Sequence, residues 1–348
     1  MNYQRDNAIL IQPPFSGSSH AKSSQPDPRK GWWEKFIGPG LAIDTDKYFV
    51  ICTDNIGGCY GSSGPSTINP ITSKPYGMSF PSLSVEDIVR GQFLVLDSLG
   101  IDKVYACIGG SLGGMCSITA AVLFSDRVGR AISLSAAIKT YPSTAAWNHV
   151  QRQVIMSDPN WNAGVYSNKL FPSMGLNIAR QIGTISYRGF TEFDSRFKQE
   201  CNPNITDKPS QKSVYSYLEY QGNKFANEFD PNSYIYLTKV MLLRYKNVAL
   251  CFKRLQCLLE AFLRYAMDMF NLDDKLIHYR KSNIFSPVLV IGAQSDILYP
   301  VWQQKELVHV LQNAGNPYVE YVELDANTGH DTFLIDYDGI APKLENQA

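Results

Sequence analysis

The chain has 348 residues, with 32 Lys and Arg against 32 Asp and Glu and a formal net charge of zero. A balanced charge provides no electrostatic attraction for nucleic acid or an anionic membrane surface, so we expect neither as a partner. Hydrophobic residues make up 44% of the sequence, but no apolar run approaches the ~20 residues of a membrane span. The length allows one large domain or a domain with a sizeable insertion.

Cysteine usage indicates the redox environment. The seven cysteines are an odd number and lack paired C-x-x-C spacing, which favours reduced thiols over a disulfide framework or a zinc site. We therefore expect a reducing compartment and no metal. The first residues contain only a short apolar patch and no cleavage-like site, which predicts no secretory leader and a cytoplasmic location.

Short apolar runs alternate with helical patterns along the chain. Six runs are predicted as buried strands: NAILI from Asn7, YFVICT from Tyr48, KVYACIG from Lys103, RAISLSA from Arg130, PVLVIGA from Pro287 and YVEYVEL from Tyr318. One helix is predicted after Ser84, an N-cap with Asp87 three residues later, with a stop at Gly100. A second helix is predicted to end at Gly315. The alternation predicts an α/β fold with a parallel sheet covered on both faces.

The alternation is interrupted after the fourth predicted strand. Residues 141–282 are helical in pattern, polar and aromatic, and include AAWNHVQRQVIMSD, MGLNIARQIGTISY and CFKRLQCLLEAFLRYAMDMF. We interpret this segment as a helical lid inserted into an α/β core formed by residues 1–140 and 283–348.

A G-x-S-x-G motif follows the third predicted strand. Gly109, Ser111 and Gly113 lie between that strand and an Ala-rich helical run, the strand–turn–helix setting of a nucleophile elbow. The glycines leave room for a strained turn that projects the Ser111 hydroxyl beyond the sheet. With Gly and Ser each near ~7% of residues, the motif alone matches by chance in roughly one chain in ten. The prediction that Ser111 is a nucleophile therefore depends on its setting.

A serine nucleophile needs a base, and the base needs an acid that holds it. On this kind of fold the chain order is Ser, acid, His. Four histidines follow Ser111: His149, His278, His309 and His330. The first two fall within or beside the predicted lid, and His309 lies within a helical pattern, whereas His330 directly follows the last strand. Asp296 follows the PVLVIGA strand, where a turn or cap carboxylate is the alternative. Order and position predict the triad Ser111, Asp296 and His330.

An oxyanion needs backbone donors aimed at the developing charge. The amide of Leu112, directly after the nucleophile, is the first candidate. The second is expected in the loop QPPFSG after the first strand. Pro13 and Pro14 have no N–H, so Phe15 is the predicted donor. The alternative is that this loop is only a rigid turn.

Several longer segments together resemble the homoserine O-acetyltransferases of the α/β-hydrolase fold. They are GWWEKFIGPGLAIDTDKYFVICTDNIGGCYGSSGPS, GGSLGGM, SDPNWNAGVY, YLEYQGNKFANEFDPNSYIYLT, SDILYP and GHDTFL. The resemblance covers nearly the whole chain and implies the same triad. It also implies that Arg180 and Asp331 contact an amino-acid substrate, whose carboxylate and ammonium suit a cation and an anion. On the residues alone, Arg180 could be a solvated lid residue and Asp331 a turn cap.

The resemblance further implies acetyl-CoA as acyl donor, no resident cofactor, and a homodimer formed through the lid. The segments YSYLEYQGNKF and SYIYLTKVMLLRY are expected to supply the apolar surface for that dimer. Cys59 is interpreted as packing beneath the site rather than as a reactive thiol, since no separate base is assigned to it.

Three features depart from the family pattern. The oxyanion loop reads Pro-Pro-Phe-Ser-Gly at residues 13–17, where the family usually has a sequence like His-Ala-Leu-Thr-Gly. The chain begins almost at the first buried strand, so a sheet edge is expected to be missing. The ending DYDGIAPKLENQA is shorter than the family's usual closing helix.

The predicted triad together with the resemblance to the homoserine O-acetyltransferases implies an acyltransferase that moves an acetyl group from acetyl-CoA to the hydroxyl of L-homoserine through an acetyl-serine intermediate. GWWEKFIG and SDILYPVWQQKEL look closest to the eukaryotic branch, some of whose members acylate serine. Serine as acceptor and succinyl-CoA as donor are therefore the first alternatives. An esterase and a weakly active or non-catalytic relative are the others.

Overall fold

The computed structural model describes residues 7–197, 213–241 and 285–345. Its main sheet has six strands: β1 Ala8–Gln12, β2 Phe49–Cys52, β3 Ala106–Gly110, β4 Ala131–Leu134, β5 Val288–Ala293 and β6 Val319–Leu324. Their spatial order is β6-β5-β4-β3-β1-β2, and every neighbouring pair is parallel. Each of these strands coincides with a predicted run, so the predicted α/β class and parallel sheet are confirmed.

Both faces of the sheet are buried. Along β1, Leu10 joins one hydrophobic cluster while Ile9 and Ile11 join another on the opposite face, as the alternation of side chains along a strand requires. The first cluster includes apolar residues of the helices that follow β2 and β3, and the second includes Trp33 and Ile340. Burial on both faces explains why the strands are nearly continuous apolar runs.

Ten α-helices accompany the sheet in the described ranges. They are α1 Val85–Ser98, α2 Leu112–Leu123, α3 Pro142–Ser157, α4 Ser173–Tyr187, α5 Phe190–Phe197, α6 Val214–Ala226, α7 Pro231–Val240, α8 Val301–Asn313, α9 Thr332–Ile335 and α10 Tyr337–Glu345. Short 3-10 turns span Gly77–Ser79, Pro159–Gly164 and Gly329–Asp331. Two-residue strands pair Ile37–Gly38 with Ile43–Asp44 and Ile68–Asn69 with Lys74–Pro75. No helix in this part of the chain is long and apolar enough to cross a bilayer.

Helix α1 begins and ends as the sequence predicts. The Ser84 side chain accepts a hydrogen bond from the Asp87 amide, and the Asp87 carboxylate accepts one from the Ser84 amide, which is a complete capping box. Gly100 follows the helix with a φ of +66°, a conformation that glycine adopts without strain.

Helices α3 to α7 lie between β4 and β5 in the chain, and α4 packs against both α3 and α6. We call this described part of residues 141–241 the helical insertion. Its function as a lid and the boundaries at 141 and 282 stay predictions, and CFKRLQCLLEAFLRYAMDMF lies outside the described residues. The expected exposure of SYIYLTKVMLLRY is wrong for its described part, because residues 234–238 of α7 are buried within the chain.

The strand order positions the candidate site. From β1 the chain runs outward to β2 and then returns to place β3 on the other side of β1. The loops that follow β1 and β3 therefore diverge, and ligands in open α/β sheets bind in the crevice that such a switch opens at the carboxyl ends of the strands. Ser111 follows β3 and Phe15 follows β1, so both lie at this crevice.

Candidate functional site

Ser111 occupies a strained turn between β3 and α2. Its φ is 57° and its ψ is −121°, a positive φ that few residues other than glycine adopt. The Ser111 amide donates to the Leu134 carbonyl at 2.9 Å, which ties the turn to β4. Strain of this kind costs about 1–3 kcal/mol and persists only where the surroundings enforce it. Such strain is typical of a functional position.

The flanking glycines allow two backbones to approach closely. A Cβ atom on Gly109 would lie 2.4 Å from the carbonyl carbon of Gly113, and one on Gly113 would lie 2.0 Å from the Gln12 oxygen. Any larger residue would therefore push the turn away from the end of β1. The G-x-S-x-G spacing is a steric requirement of this turn.

His330 and Asp296 form a buried pair behind the turn. The Nδ1 atom of His330 lies 2.8 Å from Oδ2 of Asp296, and the two residues are 4% and 2% exposed. The other carboxylate oxygen accepts from the amides of Leu298 at 2.9 Å and Tyr299 at 2.8 Å. Asp296 therefore caps its own turn and also holds the imidazole. Because Nδ1 donates to the carboxylate, Nε2 is left with a lone pair that can accept a proton.

The loop that carries His330 is fixed from two sides. The Gly329 amide donates to Oγ of Ser295 at 2.9 Å, which joins the His330 loop to the Asp296 loop. The indole N–H of Trp33 donates to the Phe333 carbonyl at 2.8 Å. Three rings surround the imidazole at centroid distances of 5.3–6.0 Å: Tyr299, Phe333 and Tyr187. The imidazole is therefore held in one orientation by packing as well as by Asp296.

The loop after β1 is anchored although its sequence is unusual for the family. The Gly17 amide donates to the Pro14 carbonyl at 2.9 Å, and the buried Asn55 side chain donates to the same oxygen at 3.1 Å. The Phe15 ring packs edge-on against Tyr234, with ring centroids 5.0 Å apart. Leu112 is the first residue of α2, where an amide has no partner within the helix. The roles of the Phe15 and Leu112 amides as oxyanion donors stay predictions.

A cavity that opens to solvent is lined by most of the predicted residues. Its wall includes Ser111, His330, Phe15, Arg180, Asp331 and Asn148. The first three come from loops of the α/β core, while Arg180 and Asn148 come from the helical insertion. The same cavity is therefore lined by the candidate nucleophile, the candidate base and both predicted substrate contacts.

Arg180, which lines this cavity, carries a buried donor without a partner in the described part of the chain. Its guanidinium lies over the rings of Phe225, at 4.6 Å, and Tyr187, at 5.6 Å. Its Nε atom is buried and has no hydrogen-bond partner among the described residues. An unsatisfied buried charged donor is costly, and an anionic ligand group would satisfy it.

Asp331, next to the base candidate, has a charged neighbour that the sequence did not reveal. Its Oδ2 atom lies 3.3 Å from Nε of Arg188. Burial raises the pKa of the Asp331 carboxyl, while the positive charges of Arg188 and Arg180 oppose that rise. The two residues are distant in sequence, so no local pattern could have indicated their contact.

Asn148 on α3 is a second residue that the sequence reasoning missed. It is 6% exposed, lines the cavity, and its Nδ2 atom has no hydrogen-bond partner in the described ranges. Thr144, one turn earlier, also lines the cavity. The spacing of four residues places Thr144 and Asn148 on one face of a helix, but the sequence alone does not show that this face is buried.

The remaining candidates are placed away from this chemistry. His149 and His309 are exposed on α3 and α8, and His278 lies outside the described residues. Within the described ranges, no group of three His, Cys, Asp or Glu side chains is arranged to hold a metal ion. Cys59 is partly buried against the core, and burial raises the pKa of its thiol to about 12, which agrees with a packing role.

Comparison with known proteins agrees with this geometry. The sequence profile of the α/β-hydrolase fold family matches residues 7–337. A serine O-succinyltransferase of Emericella nidulans is 40% identical over 97% of this chain and 73% of its own length. A homoserine O-acetyltransferase of Symbiobacterium thermophilum is 39% identical over 97% of this chain and 83% of its own. The crystal structure of esterase E22 superposes with a TM-score of 0.83 at 29% identity and covers 99% of this chain and 90% of that structure. The chain therefore belongs to the α/β-hydrolase fold family and, within it, to the homoserine O-acetyltransferase family of acyltransferases.

Proposed function

We propose that this acyltransferase moves an acyl group from an acyl-CoA thioester to the hydroxyl of a small amino acid, through an acyl-enzyme on Ser111. The observation that carries the proposal is the buried contact of 2.8 Å between His330 and Asp296 at a cavity that Ser111 also lines. A serine with an oriented base beside it is the minimum requirement for acyl transfer by covalent catalysis.

In the first half-reaction, Nε2 of His330 takes the Ser111 proton as Oγ attacks the thioester carbonyl. The amides of Leu112 and Phe15 stabilise the oxyanion of the tetrahedral intermediate. The carbon–sulfur bond then breaks, His330 returns the proton to the sulfur, and CoA leaves as its thiol. The product is an ester between the acyl group and Ser111.

In the second half-reaction, His330 takes the proton of the amino-acid hydroxyl, and that oxygen attacks the ester. The bond to Ser111 breaks, and the proton returns to Oγ. Arg180 binds the carboxylate of the acceptor, and Asp331 binds its ammonium group. Two charged contacts would hold the acceptor's hydroxyl next to the ester. Such positioning lowers the barrier relative to the same reaction in dilute solution.

Acetyl transfer from acetyl-CoA to L-homoserine is our first specific assignment. It is supported by the relative from Symbiobacterium thermophilum, which is named homoserine O-acetyltransferase. Succinyl transfer to L-serine is the second candidate, supported by the relative from Emericella nidulans, which is named serine O-succinyltransferase. The acceptors differ by one methylene, which discriminates by only ~1–3 kcal/mol, or about 10–200-fold, so we expect some activity on both.

An esterase would use the same triad with water as the acceptor. The likeness to esterase E22 keeps this reaction class as an explicit outcome of the test. Exclusion of water from the acyl-enzyme separates a transferase from a hydrolase. The unfilled donor of Arg180 favours a charged acceptor. A non-catalytic relative is the outcome to expect if the loop of residues 13–17 fails as an oxyanion site.

The test begins with intact-mass analysis of the protein after incubation with acetyl-CoA or succinyl-CoA. We expect an acyl adduct on the wild type and none on Ser111→Ala. The kcat/KM values for L-homoserine and L-serine with each donor then assign the substrates. Wild-type protein that forms no adduct and transfers no acyl group would refute the proposal, and hydrolysis unaffected by either acceptor would indicate an esterase.

A further inference from the structure

The helical insertion touches the loop of His330 directly through backbone atoms. A Cβ atom on Gly189, at the junction of α4 and α5, would lie 2.2 Å from the Asn327 carbonyl oxygen. A Cβ atom on Gly329 would lie 2.4 Å from the Gly189 amide nitrogen. Two glycines at one crossing allow the insertion to pack on the loop that carries the base, so residues beside this crossing can affect the site.

Arg188 lies at this crossing and bridges two carboxylates. Its Nε atom is 3.3 Å from Oδ2 of Asp331, an ion-pair contact that lacks hydrogen-bond geometry, and its Nη1 atom donates to both oxygens of Glu192 at 3.1 and 3.2 Å. All three side chains are largely shielded, with exposures of 16%, 20% and 19%. Shielded ion pairs are weakened less by salt than exposed ones. The attraction between Arg188 and the Asp331 carboxylate should therefore persist when salt is added.

The charges around Asp331 show what Arg188 contributes. Burial raises the pKa of the Asp331 carboxyl, and Glu192 adds to that rise. Arg188 is the strongest of the neighbours that oppose it, ahead of Arg180 and His330. Removal of Arg188 therefore favours the neutral form of Asp331, which binds an ammonium group poorly.

Arg188 does not line the cavity itself. Asp331, Arg180 and Tyr187 belong to the cavity wall, whereas Arg188 lies behind Asp331. Glu192 already occupies the end of its guanidinium. The two arginines therefore have different positions: Arg180 lines the cavity, whereas Arg188 contacts the Asp331 carboxylate that lines it.

We propose that Arg188 is a positioning residue for the acceptor, because it holds the Asp331 carboxylate in place at the cavity wall, where that carboxylate binds the acceptor's ammonium group. The inference rests on the proposed function and deepens it. It assigns the recognition of the ammonium group to a relay from the helical insertion through Arg188 to Asp331. The thioester half-reaction has no ammonium group and does not use this relay.

The test separates the two half-reactions in the full chain. For Arg188→Ala we expect the KM of the amino-acid acceptor to rise about 10-fold, since loss of one partner of a shielded ion pair leaves the Asp331 carboxylate without its nearest positive charge. The rate of acyl-enzyme formation from acyl-CoA is expected to stay close to the wild-type rate. Arg188→Lys retains the charge and is expected to give an intermediate KM, so the test remains decisive if the alanine variant folds poorly.

Arg196→Ala is the matched control. Arg196 also pairs with Glu192, at 3.7 Å, but its side chain is 46% exposed, and it is not part of the cavity wall. We expect its acceptor KM to equal that of the wild type. The double variant of Arg188→Ala with Asp331→Asn is expected to bind the acceptor no more weakly than Asp331→Asn alone, because one residue acts through the other.

Three outcomes would overturn the inference while leaving the proposed function intact: an unchanged acceptor KM in Arg188→Ala, an equal rise in Arg196→Ala, or additive losses in the double variant. A wild-type protein without acyl transfer would instead overturn the proposed function, and the inference with it. The wild-type adduct is measured first, so the two failures are distinguishable.

Discussion

The backbone of Ser111 shows how stability and chemistry compete at one residue. A φ of 57° with a ψ of −121° is unfavourable for any residue with a Cβ atom. Ser111→Gly should relieve ~1–3 kcal/mol of strain, partly offset by ~0.5–1 kcal/mol of extra unfolded-chain entropy. Ser111→Ala keeps the strain. We expect the glycine variant to have a free energy of unfolding about 1 kcal/mol above that of the alanine variant, measured by urea denaturation. Equal stabilities would mean that the turn is not strained.

Asp296 is predicted to orient His330 and not to act as the base itself. In Asp296→Asn the side-chain oxygen can still accept from the Leu298 and Tyr299 amides, but the amide group then faces Nδ1 of His330. This arrangement favours the wrong tautomer of the imidazole, which in a triad lowers kcat by about 10⁴-fold. Steady-state assays should therefore find severe loss with residual activity above that of Ser111→Ala. A rate close to that of the wild type would remove Asp296 from the mechanism.

At the scale of elements, helix α1 depends on its capping box. Ser84→Ala removes one acceptor for the first-turn amides and is expected to lower the free energy of unfolding by about 1 kcal/mol. The acyl-transfer rate should not change, since α1 lies outside the cavity wall. Ser98→Ala is the matched control on the same helix, because that hydroxyl is exposed and donates only to the Val95 carbonyl. Equal losses in both variants would argue against a capping contribution.

The order of elements was predictable from the sequence, and so were the residues that their ends carry. Parallel strands bring their carboxyl ends to one edge, so the sequence could place Ser111, Asp296 and His330 at that edge from the strands that precede them, while their roles stay predictions. The Arg188–Asp331 contact was not predictable, because it joins residues 143 positions apart through a crossing of two loops. Asn148 could not be assigned to the cavity either, because its environment depends on how α3 packs against the core.

At the scale of the whole molecule, two parts of the chain contribute residues to the cavity wall. The α/β core supplies Ser111 and His330, whereas the helical insertion supplies Arg180 and Asn148. We infer that the core supplies the bond chemistry together with one acceptor contact, Asp331, and that the insertion supplies the contact of opposite charge, Arg180.

The proposed acyl-enzyme on Ser111 predicts a specific kinetic pattern. If the acyl group waits on Ser111 while CoA leaves, double-reciprocal plots at several acceptor concentrations should be parallel, as expected for a ping-pong mechanism. The same covalent step predicts exchange of labelled CoA into acyl-CoA without any acceptor. Intersecting lines together with no exchange would instead indicate direct transfer in a ternary complex.

The surface of the helical insertion leads to a prediction about assembly. Helix α4 exposes Met174, Ile178 and Ile185, and α6 exposes Tyr215 and Tyr220. Apolar residues at helical spacing on a surface are typical of an interaction site, and most homo-oligomers are two-fold dimers. We therefore expect a homodimer through this surface, with the mass of two chains by light scattering.

The double change of Met174→Glu with Ile178→Glu should give monomers, because it places charges at the contact. Leu94→Glu is the control, because Leu94 is exposed on α1, outside the helical insertion. This variant should remain dimeric. A monomer mass for the wild-type protein would show that these apolar side chains serve another purpose.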